Sequence, residues 1–502
     1  MSTTRPPVRR TAFCGIDVGT QGVRAEILDV DGLRVGSGET PVASGIRRGT
    51  QHEQDPSMWW RALTSAVRSA ITEAGDDLDI AAVALDATSG TVLIESEDGN
   101  SRGPALMYDD SRATAQAQRA QLAGGALWSA LGYRMQTSWA LPKVMWLNEN
   151  GALGRGDRVV HQSDHLVRRL AGRAVATDTS NALKTGVDLR TGEWPTDVFT
   201  ALDLDVAILP AVVTPGSIVG HVGREASGQT GLMQGTIIRA GMTDGCAAQI
   251  ASGALRSGSW SSALGTTLVI KGSTEGLVRD PHGAVYCHRN PDGGWLPGGA
   301  SSTGAGVFTH TFGDHAPGAL DELTRLGRHL VPVPGVTYAL VGNGERFPFV
   351  APEAHGFMSA EVHDDAAKFA SLCQSIAYIE KLSYDTLASL GADVSGPVAL
   401  SGGATRNAWW NQLRTDVLGR PTILPRSVQA ATGMAILAAA PVGSLAETAE
   451  KMVRIQTRYE PDLDRGNVLH AGYKALVEEF SSRGWLDAHT AENVLRLNRA
   501  RP

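Results

Sequence analysis

The chain has 502 residues, 42% hydrophobic and 19% charged, and a formal net charge of −7. That length calls for more than one hydrophobic core, most simply two large domains. The acidic balance excludes a dedicated nucleic-acid binder and a basic membrane-surface protein. Four dispersed cysteines, Cys14, Cys246, Cys287 and Cys373, form no C-x-x-C pair, which suits a reduced cytoplasmic protein without a zinc knuckle. The opening MSTTRPPVRR is basic but no apolar h-region follows, so no secretory signal is expected. No apolar run approaches the ~18 residues of a membrane span. The longest, AATGMAILAAAPVG, reads as a buried helix.

The first segment, FCGIDVGTQGVRAEILDVDG, reads as strand, turn and strand, with a second turn at Asp31-Gly32. Residues 55–75 form a helix: Asp55 caps it, Pro56 suits its first turn and Gly75 its exit. Trp60, Leu63, Val67 and Ile71 share one face. IAAVALDATSGTVLIESEDG reads again as strand, turn, strand. Strands and helices keep alternating, which gives an α/β fold class. GTIIRAGMTDG is a strand running into a turn, CAAQIASGAL a short helix, and SGSWSSALGTTLVIKGS a hairpin with Gly265-Thr266-Thr267 at its tip. A strand, a Gly-Thr turn and a strand therefore occur twice. The echo suggests duplicated domains with a boundary near Gly253–Gly258 and a cleft between the halves.

A turn of Gly and Thr exposes backbone N–H groups and a hydroxyl, a concavity suited to phosphate. There is no G-x-x-x-x-G-K-[ST] P-loop, and a strand rather than a dinucleotide-fold helix follows Gly19-Thr20. Asp17 lies inside the apolar run before that turn. A buried carboxylate needs a partner; Mg²⁺ would supply one, and the turn's own N–H groups are the structural alternative. Asp244, in GMTDGCAAQ, is a general base for a substrate hydroxyl or only the cap of the helix that follows. In VALSGGATRNAWWNQLRTDVLGRPTILP a strand meets Gly402-Gly403 and a helix begins near Asn407. These glycines allow close ligand approach or merely a tight turn. Trp410, Leu413 and Val417 follow helical spacing, the usual mark of core packing.

Taken together, GIDVGTQGVRAEILD, GMTDGCAAQIASGAL, ALGTTLVIKGS and SGGATRNAWWNQLRTDVLGRP resemble the FGGY carbohydrate kinases of the actin-like ATPase superfamily, from residue 13 to about 475. The resemblance implies two actin-like, ribonuclease H-like α/β domains, 1–253 and 254–502, with ATP in the cleft between them. The second would carry the second phosphate turn, the adenosine site and a C-terminal helical extension. In the family, the position of Asp17 holds Mg²⁺-ATP and the turn with Thr20 faces its phosphates. Gly265, Thr266 and Thr267 match the second phosphate turn, Gly402, Gly403 and Asn407 the adenosine site, and Asp244 the catalytic base. LDATSGTVL, HQSDHL, SNALKTG, VYCHR, WLPGGASSTGAG and GERFP are most similar to the plant and cyanobacterial D-ribulose kinases. There Trp410 matches a tryptophan that flanks the adenine and Ser89 a serine that contacts the ketose.

The implied activity is ATP-dependent phosphorylation of D-ribulose, with D-xylulose, L-ribulose or a pentitol as alternative acceptors. A catalytically silent sugar sensor and a structural actin relative are the other classes. The partners implied are ATP, Mg²⁺ and a small sugar, with no nucleic acid and no membrane; the oligomeric state is left open, a homodimer being one option. Asp110 and Arg112, in MYDDSRA, stand where many FGGY kinases carry W-x-D-x-R, and Asp110 either touches sugar hydroxyls or lies in a solvated turn. Gln429 replaces a glutamate often found before the last helix. His161 and His165, at i and i+4, share a helix face, but no third ligand is evident and zinc is not expected.

Overall fold

The computed structural model describes residues 9–313, 318–359 and 364–499. The chain forms two compact units. The first comprises Met1–Gly253, His288–Gly293 and Ser427–Arg454, and the second Ala254–Cys287, Gly294–Arg426 and Ile455–Pro502.

In the first unit, β1 (Arg10–Val18), β2 (Gly22–Asp29) and β3 (Arg34–Pro41) form an antiparallel meander, and α1 (Pro56–Ala74) covers it. Asp55 caps α1 through the Ser57 N–H, and Pro56 opens the helix. Trp59, Trp60, Leu63 and Val67 pack on Cys14, Ile16, Val23 and Ile27 in one core. β4 (Leu78–Ala87) lies parallel to β1, β6 (Ile237–Arg239) parallel to β4, and β5 (Ile218–His221) antiparallel to β6. The sheet order is β5-β6-β4-β1-β2-β3. After β6 comes α2 (Asp244–Ser252).

In the second unit, β7 (Trp260–Leu264), β8 (Leu268–Gly272) and β9 (Trp295–Ala300) form the meander. β10 (Val398–Ser401) is parallel to β7, β11 (Thr422–Pro425) parallel to β10, and β12 (Ile455–Tyr459) antiparallel to β11. Six strands in the order β12-β11-β10-β7-β8-β9 repeat that of the first unit, and a seventh strand, Tyr286–Arg289, extends the sheet beside β9. The echo seen in two Gly-Thr hairpins thus extends to six strands of each sheet. α3 (Asp365–Ser389) and α4 (Ala408–Leu418) pack on one another in this unit.

Ser427–Arg454 departs from the expected boundary, which placed it in the second half. Its helix α5 (Ala430–Ala439) belongs to the first unit and packs on β1, β4 and α2. The reason is local shape. α5 is nearly all small or aliphatic, and Gly15 of β1 lets it come so close that a Cβ there would sit 1.9 Å from the Ala431 carbonyl oxygen. Among the described residues no helix is long and apolar enough to cross a membrane.

Candidate active site

In the first unit the candidate side chains gather at the carboxyl ends of β1 and β4 and just beyond β6, where open α/β sheets place their ligands. Asp17 is the penultimate residue of β1. Across the hairpin it faces Arg24, whose Nη1 is 3.8 Å from Asp17 Oδ2, and Arg24 also binds Glu39 at 2.8 Å. On its other side Asp17 stands in register with Asp86 of β4. Burial pushes the Asp17 carboxyl up from its ordinary value, and Asp86 and Arg24 pull it back. Asp86 is fully buried and neither carboxylate oxygen has a hydrogen-bond donor. Its carboxyl is pushed well above the ordinary range by burial first, then by the charges of Asp17 and Asp244.

The turn after β1 closes through Gly19 N–H to the Gly22 carbonyl at 3.0 Å. The buried Gln54 amide braces it, donating to the carbonyls of Thr20 (3.1 Å) and Ala43 (2.9 Å), while Trp59 Nε1 donates to Gln54 Oε1 at 2.6 Å. Thr20 is thereby held at the half-exposed tip.

Asp244 is exposed at the first position of α2, and Thr243 occupies the cap position. The Asp244 carboxylate accepts from the Gly245 N–H at 2.7 Å. Thr243 bridges to Ala87, the residue after Asp86, and its N–H donates to Ser180 Oγ at 2.9 Å. Ser180 in turn donates to the buried Asp178 at 2.6 Å. The motifs GMTDG, LDATSG and SNALKTG are therefore parts of one hydrogen-bonded cluster.

The two strands of the LDATSGTVLIE segment do not pair with each other. β4 belongs to the central sheet, whereas Val92–Glu95 joins a separate five-stranded sheet. Thr88–Thr91 is the crossing, and Gly90 adopts φ +96° there, a left-handed turn that suits glycine. Ser89 lies in this crossing with its Oγ buried and unpartnered. Two lysines hold the loop from behind. Lys184 Nζ donates to the Ser89 carbonyl at 3.0 Å, and the buried Lys143 Nζ donates to the carbonyls of Gly90 (2.9 Å) and Met107 (2.6 Å). Burial pulls the Lys143 ammonium down to about 7.

In the second unit, Gly265 N–H donates to the Thr267 carbonyl at 3.1 Å, closing the β7–β8 turn. Ala305 and Gly306 N–H groups brace it by donating to the Gly265 and Thr266 carbonyls at 2.9 and 3.0 Å. Thr266 is exposed, and so are Gly402 and Gly403 after β10. Gly402 has φ +87°, and a Cβ there would meet the Leu264 carbonyl oxygen at 2.3 Å.

The chain matches the N-terminal domain of the FGGY family of carbohydrate kinases over residues 12–251 and its C-terminal domain over residues 261–441. It belongs to that family. A xylulose kinase of Streptomyces rubiginosus is 31% identical to it over 461 residues, covering 89% of this chain and 90% of the relative. A xylulose kinase of Escherichia coli (strain K12) is 24% identical, over 81% of this chain and 85% of the relative. Among solved structures, a xylulose kinase from Rhodospirillum rubrum superposes with a TM-score of 0.84 at 21% identity, covering 94% of this chain and 98% of that one. A gluconate kinase from Lactobacillus acidophilus gives 0.82 at 20%, with the same coverage. At these identities the structural likeness shows the two-domain α/β fold alone.

Within this FGGY kinase the structure brings Asp17, Thr20 and Asp244 to one end of the first sheet, with Ser89 on the loop that leaves β4. It corrects two expectations. Asp110 is neither in a solvated turn nor free for a sugar. It is fully buried, with Oδ1 accepting from Arg112 N–H (3.1 Å) and Nε (3.0 Å), and Oδ2 from His52 N–H (2.7 Å) and Arg112 Nη2 (2.7 Å). The exposed member of that segment is Tyr108, whose hydroxyl is pushed up mainly by burial, then by Asp109, with a further contribution from Asp244. Trp410 does not present a face to a ligand either. It is 3% exposed, donates Nε1 to the Cys373 carbonyl at 3.1 Å and meets Phe308 edge-on, as a core residue does. Asn407 caps α4, accepting from the Trp410 N–H at 3.0 Å while its Nδ2 donates to Thr324 Oγ1 at 2.8 Å.

The histidine pair is divided between partners. His161 Nδ1 meets Asp164 and Thr177, and Nε2 meets Thr185, while His165 meets Glu95. Among the described residues no group of three His, Cys, Asp or Glu is arranged to hold a metal by itself. Sequence reasoning missed Arg24, Gln54 and Asp86. Asp86 carried the same signal as Asp17, an acid in an apolar run (AVALDA).

Proposed function

We propose that this kinase transfers the γ-phosphoryl group of ATP to the terminal hydroxyl of an open-chain ketopentose, with D-ribulose preferred, giving D-ribulose 5-phosphate and ADP. The observation that carries this reading is Asp244, an exposed carboxylate anchored beside the end of β4 and bonded to its neighbour's amide. Such a group can accept the hydroxyl proton as the oxygen attacks phosphorus and the bond to the ADP leaving group breaks. Asp17 would hold Mg²⁺, with the amides of the Gly19-Thr20 turn toward phosphate. The orphaned carboxylate of Asp86 supports the fit, because two acids facing each other call for a positive partner. Magnesium typically takes one or two carboxylates and completes its shell with phosphate and water. When bound it would offset the phosphate charge. In the second unit, the amides of Gly265–Thr267 and the bare backbone at Gly402-Gly403 are the proposed nucleotide contacts.

Ser89 is the proposed sugar contact, since its unpartnered hydroxyl can both donate and accept. Many xylulose kinases carry Q-x-H-G where this chain has DATSG, so no imidazole faces the sugar from that loop. D-Xylulose is the second reading, and the xylulose kinases among the relatives favour it. ADP release measured with a panel of ketoses and polyols separates the two. A preference for D-ribulose of roughly ten- to a hundredfold in kcat/KM is expected, the worth of one buried polar group left unpaired by the wrong epimer, and Ser89→Ala should lose it. A parent enzyme that favours D-xylulose would move the substrate and leave the kinase. Absence of ADP release with every sugar would leave only the silent sensor.

A further inference from the structure

Asp86 faces Asp17 but is given no ligand or proton role in the mechanism above. It is the penultimate residue of β4, in register with Asp17 on the neighbouring parallel strand, so the two side chains rise on the same face of the sheet. It is fully buried, and neither oxygen receives a hydrogen bond. The neighbouring backbone donors are committed elsewhere: the Thr88 N–H donates to Gln162 Oε1 at 3.2 Å and the Thr243 N–H to Ser180 Oγ at 2.9 Å. Arg24 is spent on Asp17 and Glu39. A buried carboxylate without a donor costs several kcal/mol, and here it lies against a second acid instead of a base. Two facing carboxyls with no base between them either share one proton or act as adjacent ligands of one hard cation.

We propose that Asp86 is a second carboxylate ligand of the divalent cation held by Asp17, so that the cation is clamped between the ends of β1 and β4. The inference rests on the kinase reading and goes beyond it: it makes the cation site a property of two strands of the first sheet, partly formed before nucleotide arrives. Two charges on one cation predict tighter binding and a smaller dependence on nucleotide than Asp17 alone would give.

The test is Mn²⁺ binding to the full chain in the presence of ADP, followed by the electron-paramagnetic signal of free Mn²⁺. Asp86→Asn keeps the shape but removes the charge. It should weaken Mn²⁺ by roughly ten- to a hundredfold, the usual cost of disturbing a metal shell, while ADP affinity in EDTA stays at the parent value. Mn²⁺ affinity equal to the parent in Asp86→Asn would overturn the assignment and make Asp86 a buried partner of Asp17 only. As a second variant, Asp86→Cys should shift cation preference toward Cd²⁺ over Mg²⁺ in nucleotide binding, because a thiolate ligand selects soft metals; a preference unchanged from the parent would overturn it equally. A parent that binds no Mn²⁺–ADP would sink the kinase reading itself, whereas a normal parent with an indifferent Asp86 sinks this inference alone.

Discussion

Asp17 and Asp244 are both aspartates near strand ends, and their surroundings fit them for different tasks. Asp17 lies between an arginine and another acid, which suits a fixed charge. Asp244 faces solvent on the first turn of a helix, which suits proton exchange. Asp244→Asn should therefore lower turnover by roughly 10²–10⁴-fold with ATP binding near the parent value, read by initial rates and nucleotide titration. Near-normal turnover would reduce Asp244 to a helix-end residue. Lys143 permits a second test. Burial, helped by the charges of Lys184 and Arg112, outweighs Asp110 and Asp109 and leaves its ammonium at about 7, against roughly 10.4 in an unfolded chain. Between those values the unfolded state binds the extra proton, so this group makes stability rise with pH by up to ~1.4 kcal/mol per unit. Below pH 7 it adds no slope. Urea melts from pH 6 to 9 should show that rise in the parent and not in Lys143→Met; parallel curves would disprove the depressed lysine. Asp17 stood out because an acid lies inside an apolar run, whereas Asp244 was open between base and cap on its own residues and Ser89 was singled out only by the family resemblance. Asp110 and Trp410 misled because sequence position says nothing about which lone pairs are already taken.

The secondary elements were the most legible part. Asp55, Pro56 and Gly75 bound α1 as capping chemistry requires, and Trp410, Leu413 and Val417 mark the buried stripe of α4 as their spacing predicts. What could not be read was which sheet a strand joins. Val92–Glu95 follows β4 closely yet pairs elsewhere, and that divergence is what leaves Ser89 on a crossing loop. Helix packing was hidden for a related reason, since it depends on residues that have no side chain. Gly433 of α5 lies over α2 so closely that a Cβ would meet the Ala247 carbonyl oxygen at 1.9 Å. Gly433→Ala would force α5 away from α2. A loss of about 1–3 kcal/mol or more is expected from such overpacking, measurable as a lower urea midpoint. An unchanged midpoint would mean that α5 can slide without cost.

At the scale of the molecule, one topology is used twice with different tips. Six strands share order and direction between the two sheets, but β1 and β4 carry Asp17 and Asp86 one residue before their ends, whereas β7 and β10 lead into Gly265 and Gly402. The duplicated hairpin hinted at this because glycine and threonine recur at fixed places. The return of Ser427–Arg454 to the first unit gave no such hint, since a helix of alanines fits either core by composition. Its consequence is testable. α5 buries Met434, Ile436 and Leu437 together with five smaller residues in the first unit. Each large aliphatic side chain is worth about 1.5–3 kcal/mol on burial, so the three account for roughly 5–9 kcal/mol. That rivals the whole ~5–15 kcal/mol by which a folded protein is stable. A fragment 1–253, cut at the boundary the sequence suggests, should therefore lack a cooperative urea transition and bind a hydrophobic dye. The same fragment with 427–454 joined through a flexible linker should regain the transition. If 1–253 alone unfolds cooperatively at the parent's midpoint, α5 is an accessory to the first unit and not part of its core.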